Sequence, residues 1–184
     1  MNCFIEFDIT ESKNFDDLKR IFNILRVVNA NSEKKSDDFW LNIFPDYSLS
    51  NFSFLDIDVK PDFETADYNK PFIWHFYSLI VLLSKDYSIN YENCFKLTER
   101  KGRLEYLPWE YPYGGITGLI VFIRSFNCIP KLIDDGTSLY AIDFLDNGDF
   151  SITDLNDPKR QNSAIKLFSS TKLLWEFAKR INKN

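Results

Sequence analysis

This chain of 184 residues has one histidine, His75, and one methionine. A Ser-His-Asp or Cys-His device would have to use His75, which sits in the apolar string W-H-F-Y. No G-x-S-x-G elbow and no cysteine-protease motif accompanies it. His75 therefore reads as a packed, structural histidine with one hydrogen bond. There are three cysteines, Cys3, Cys94 and Cys128, widely spaced and without a CxxC pair. Four close-set zinc ligands cannot be assembled from these and a single histidine, so no metal is expected. Reduced, buried thiols in a cytoplasmic protein are the expectation. The opening M-N-C-F-I-E-F-D-I-T lacks the basic and uninterrupted apolar regions of a signal peptide. The longest apolar run, Phe72–Leu83, contains His75 and Ser78 and falls short of the ~20 residues that span a bilayer. No membrane association is expected. Basic residues are outnumbered by acidic ones and the net charge is −5, which argues against the dominant basic face of a nucleic-acid binder.

Aromatic side chains are abundant. Phe, Tyr and Trp make up 17 % of the chain, so the core should be built on rings and Ile/Leu rather than on pliable methionine. The length and the 45 % apolar content suit one domain over 1–184 that buries a proper core. Charge is unevenly distributed. Residues 134–157 carry seven acids and no base, and 158–184 carry seven bases and one acid. The plain reading of the basic tail is a segment that lies against the acidic block or is solvated.

Along the chain, Cys3–Ile9 alternates as a half-buried strand. A helix follows with Asn14 as its cap and Phe15, Leu18, Ile21, Phe22, Leu25 and Val28 as its apolar stripe. Phe39–Phe44 shows no clear period, and Asn51–Val59 reads as a strand. Residues 71–84 read as a buried helix, with a buried strand as the alternative. Cys94–Thr98 and Arg103–Leu107 form a hairpin turning near Lys101-Gly102, with Phe95 and Leu97 beside Leu104 and Tyr106. Residues 116–127 are apolar nearly all round and read as a central buried helix, followed by a strand over Ile129–Ile133.

Leu139–Leu155 is the clearest element, because Asp146-Asn147-Gly148 is a strong hairpin turn. A three-residue loop pairs Phe144 with Phe150 and Ile142 with Ile152, and sends Asp143 with Ser151, and Ala141 with Thr153, to the outer face. A two-residue loop would mix polar and apolar side chains on both faces, so burial selects the first register. The chain ends in an amphipathic helix near 170–181, with Leu174, Phe177, Ala178 and Ile181 inward and Lys172, Glu176, Lys179 and Arg180 outward. Hairpins with helices at both ends and few βαβ units predict an α+β fold with a mainly antiparallel sheet.

Several groups bear on chemistry. Glu6, Asp8, Asp56 and Asp58 fall on the outward faces of two strands, where alternation alone puts acids. The segment D-F-L-D-N-G-D does not match a calcium loop, so the acids of 134–157 read as turn chemistry and a solvated hairpin face, with an acidic docking face as the functional alternative. Gly114-Gly115 before a helix lacks the Lys of a phosphate loop. Arg124 interrupts the apolar helix and must pair with an acid or snorkel.

The stretch P-W-E-Y-P-Y-G-G over 108–115 is the most distinctive segment. Two prolines stiffen the backbone around Trp109, Tyr111 and Tyr113, and rigid aromatics on a loop provide contact area at low entropic cost. In size, acidity and this segment ahead of an apolar helix, the chain resembles the small cytosolic immunity proteins with which bacteria neutralise polymorphic toxins. That resemblance implies a non-catalytic protein that binds a basic partner, with no cofactor. The expected binding residues are Trp109, Glu110, Tyr111, Tyr113, Asp134, Asp135, Asp143 and Asp149. The competing classes are a small hydrolase-like enzyme using outward carboxylates and a ligand-binding domain with an aromatic-lined pocket.

Overall fold

The computed structural model describes residues 3–52, 54, 75–84, 89–108, 115–144 and 150–157, with Pro108, Gly115, Thr117 and Phe150 described by backbone alone. The N-terminal alternation is β1 (Cys3–Asp8), with Cys3, Ile5 and Phe7 buried and Phe4, Glu6 and Asp8 half-buried on the opposite side. Then come α1 (Ser12–Ala30), α2 (Asp37–Ile43), α3 (Asp46–Leu49), α4 (Phe76–Ser84), β2 (Ile89–Thr98), β3 (Lys101–Pro108), α5 (Gly115–Ser125), β4 (Ile129–Asp134), β5 (Leu139–Phe144) and β6 (Phe150–Asp154). The strands form one antiparallel sheet in the order β2-β3-β1-β4-β5-β6, and the fold is α+β.

The helices lie against the face that carries Cys3, Ile5 and Phe7. Phe7 stacks on Phe15 of α1, Lys96 of β2 reaches Ser12 Oγ at 3.0 Å, the Tyr91 hydroxyl donates to the Leu83 carbonyl of α4, and Arg124 of α5 lies over the ring of Phe144. Leu18, Ile21, Phe22 and Leu25 from α1 and Leu119, Ile120, Phe122 and Ile123 from α5 are buried in the layer between. Aromatic rings fill its far side: Phe44 packs edge-on against Phe76 at 5.1 Å and against Phe122 at 6.3 Å, and Phe122 meets Phe126 at 5.2 Å. The buried Ser48 hydroxyl of α3 donates to Ser125 Oγ at 3.0 Å, and Asn51 Nδ2 donates to the Ser125 carbonyl, so α3 is fastened to the end of α5. α5 stops at Asn127, which is left-handed (φ 56) and whose carbonyl accepts from Thr10 Oγ1 at 2.9 Å.

Four local expectations need correction. Asn14 is not a cap: α1 begins at Ser12, and buried Asn14 donates to Thr10 Oγ1. Phe39–Phe44 lies largely in a helix, α2, capped by Ser36 Oγ accepting from Phe39 N with Asp37 and Asp38 in the first turn. The β2–β3 hairpin turns at Glu99-Arg100, before Lys101. Within it Cys94, not Phe95, faces the helices opposite Leu104, while Phe95 sits opposite Arg103 on the outer side and Leu97 is exposed. A bulge between Tyr91 and Asn93 sets that parity. The expected strand from Asn51 starts in a turn, with Phe52 N bonded to the Leu49 carbonyl. Of the rest, Phe54 is described and is exposed, outside any strand, while residues 53 and 55–59, with Asp56 and Asp58, lie outside the described residues, as does the expected helix 170–181.

Within the 71–84 segment Phe76–Ser84 is helical and His75 precedes the helix, and the predicted register of the last hairpin is the observed one: Phe144 opposite Phe150, Ile142 opposite Ile152, Asp143 opposite Ser151 and Ala141 opposite Thr153.

Candidate protein-binding surface

The pairing of β1 with its neighbours brings one end of the sheet together. Cys3 lies opposite Tyr106 on β3, and Phe4 lies opposite Asp134 on β4. β3, at Pro108, and β4, at Asp134, therefore finish at the same end of the sheet, separated by one strand, or about 10 Å. Trp109, Glu110, Tyr111 and Tyr113, and likewise Asp149, lie outside the described residues. Asp143 stands near the other end of β5, about 14 Å along the strand from that edge. It is exposed on the outer face.

At the shared end, acidic side chains build the turn. Asp134 Oδ1 accepts from Gly136 N at 2.8 Å. Asp135, 8 % exposed, takes three hydrogen bonds on Oδ1, from Thr137 N, Thr137 Oγ1 and Ser138 N, at 2.7–2.9 Å. Gly136 adopts φ 84, the left-handed conformation this turn needs. Asp154 Oδ1 accepts from the Ser138 hydroxyl at 2.6 Å and from Asn156 N, locking the end of β6 to the same turn. Asn-like bonding of an aspartate to backbone N–H groups two and three residues on is the local reason such residues occupy turns. The negative ends of these groups also bear on Cys3, whose thiol is pushed up first by burial and then by Asp134 and Asp135.

The outer face of the sheet carries a row that crosses all six strands: Phe95, Arg103, Glu6, Leu132, Ala141 and Thr153. Arg103 pairs with Glu6 through Nη2 and Oε1, and its guanidinium lies 4.2 Å from the centre of the Phe4 ring. Glu105 accepts from Asn93 Nδ2 at 3.1 Å in the next row. Phe4, Leu107 and Leu139 add apolar surface. Sequence reading places Glu6 and Asp8 of β1, and Asp143, Ser151, Ala141 and Thr153 of the last hairpin, on this face. The outward Phe95 and the cross-strand Arg103–Glu6 pair depend on the bulge and the register, which no local pattern signals.

Catalytic groups are poorly gathered among the described residues. His75 is half-buried just before α4, where Nδ1 accepts from Ser78 N at 3.4 Å and meets Ser78 Oγ at 3.3 Å. Burial pushes the Cys94 and Cys128 thiols up to about 12, which removes them as nucleophiles at neutral pH. No three of the described His, Cys, Asp or Glu residues are placed to hold a metal ion. A cleft of about 430 Å³ opens between the end of α1 and β2, lined by Arg26, Asn29, Asn31, Asn90 and Glu92 beside Tyr91. Arg26 already donates to the Glu92 carbonyl and Tyr91 to Leu83, and Val27 and Ala30 add apolar lining beside the amides of Asn29, Asn31 and Asn90. No described helix is long and apolar enough to cross a membrane. No protein-family model, curated protein or solved structure shows significant similarity to this chain.

Proposed function

We propose that this protein is a non-catalytic protein-binding module of the cytoplasm that captures a basic protein, as the immunity proteins it resembles capture toxins. The observation that supports this reading is the common origin of two segments. β3 ends at Pro108, immediately before Trp109–Tyr113 in the sequence, and the acidic Asp134–Ser138 turn follows β4 at the same end of the sheet. Desolvated aromatic anchors give affinity, and carboxylates around them give fast, oriented association. Asp143 and Asp149 would extend the acidic field along the hairpin.

The test is to co-express the chain with the product of its neighbouring gene and measure binding and rescue from toxicity. Trp109→Ala should weaken binding about 30-fold or more, the loss of a central anchor worth about 2 kcal/mol. Asp143→Lys with Asp149→Lys should slow association and flatten its dependence on salt. Absence of binding, or unchanged binding in both variants, overturns the reading.

A further inference from the structure

We infer that the outer face of the sheet is the docking site of the chain's own C-terminal segment, residues 158–184. This goes beyond the partner-binding reading and does not rest on it. An antiparallel sheet with one face in water normally carries polar side chains there. Here the face presents Phe4, Phe95, Leu107, Leu132 and Leu139, all half-buried and drawn from five of the six strands' outward positions and their immediate neighbours in the register. Among them stand five carboxylates, Glu6, Asp8, Glu105, Asp134 and Asp143, against Lys101 and Arg103 and the exposed Lys131 in the β1–β4 bulge. The face is thus both greasy and negative. The segment after Asp157 is its complement, with seven bases, one acid and the apolar set Leu174, Phe177, Ala178 and Ile181 at helical spacing.

Chain geometry allows it. β6 is an edge strand, and the described chain leaves it at Asp157. Six strands span about 24 Å between the outer two. The twelve residues 158–169 can reach about 40 Å when extended, so 170–181 can lie anywhere on the face. As a helix that stretch would be about 18 Å long, shorter than the sheet is wide. Docked with its apolar stripe on Phe4, Leu132 and Leu139, it would leave Lys172, Lys179 and Arg180 beside the carboxylates that flank them.

The experiment couples carboxylates to amines at zero length in the full chain, using a mixture of isotopically light and heavy protein. Links within one chain from Lys172, Lys179 or Lys183 to Glu6, Asp8, Glu105 or Asp143 are expected. Phe177→Asp, which charges the apolar stripe without removing a lysine, should reduce those links to background. Links to acids of the helical layer such as Asp16, Asp17 or Asp38 overturn the inference, as do links that join light to heavy chains and so identify a second copy as the occupant. Absence of links, or their survival in Phe177→Asp, also overturns it.

Discussion

The ring of Phe7 lies directly over Gly102, its partner across the β1–β3 pairing, in the space where any other residue would put a Cβ. Phe7 is 1 % exposed and is stacked on Phe15, so its ring has nowhere to retreat. An aromatic laid over a strand glycine covers backbone that would otherwise be unpacked. Gly102→Ala should destabilise the protein by about 1–3 kcal/mol through overpacking. Gly118 of α5 offers the control. A Cβ there meets the end of the half-buried Leu82 side chain, which can rotate away, and alanine gains about 1 kcal/mol of helix propensity. Chemical denaturation of both variants should rank Gly102→Ala well below Gly118→Ala. Equal stabilities would mean that Phe7 yields as easily as Leu82.

In the last hairpin the two apolar pairs differ in depth. Ile142 is 1 % exposed and faces Ile152, while Phe144 is half-buried beneath the Arg124 guanidinium at 4.5 Å. Ile142→Ala should cost about 2–5 kcal/mol. Phe144→Ala should cost less, because part of its ring remains in contact with water in the folded state and its loss leaves no closed cavity. A larger loss for Phe144→Ala than for Ile142→Ala in urea denaturation would show that the Phe144 side of the hairpin carries more of the packing.

These contrasts show what was legible. The hairpin could be read because a single turn, Asp146-Asn147-Gly148, admits few loop lengths and only one of those sends Ile142 and Ile152 inward together. β1 was legible from strict alternation. Phe95 was not, because the rule that the more apolar set faces the core failed. The helices take Ile89, Tyr91 and Cys94, and a bulge at Glu92 turns Phe95 outward. α2 is seven residues long, too short for a periodic stripe, and its only signal was Ser36 followed by two aspartates. That β3 and β4 finish at a common sheet end was invisible, since it follows from β1 inserting between them, a pairing of strands nearly one hundred and over one hundred and twenty residues apart in the chain.

Ser48 and Ser125 join α3 to α5 in a buried hydrogen bond, and Ser125 Oγ also donates to the Phe122 carbonyl. Ser125→Ala leaves the Ser48 hydroxyl, which is wholly buried, without its partner. A loss of about 1–3 kcal/mol should follow. Replacing both serines by alanine should cost less than the sum of the single changes, because no orphaned hydroxyl then remains. A double-mutant cycle measured by thermal or urea unfolding checks this, and additive losses would show that the bond contributes nothing.

Stability should fall on the alkaline side, and the sign follows from the thiols. Burial holds Cys94 and Cys128 protonated in the folded protein up to about pH 12, while unfolded thiols ionise near pH 8.5. Above that value the unfolded state releases protons that the folded state keeps, so each pH unit favours unfolding. Below it both states hold the protons, and the thiols contribute fully to stability. Each fully buried thiol should erode stability by up to about 1.4 kcal/mol per pH unit above roughly pH 9. The comparison that isolates this is the wild type against Cys94→Ala/Cys128→Ala, by urea denaturation at pH 7.5, 9 and 10. The double variant should start less stable, having lost two buried side chains that are 6 % and 0 % exposed, and should decline more slowly as pH rises. Parallel declines would mean that these two thiols ionise as readily in the folded protein as in the unfolded chain, and that the layer between sheet and helices admits water.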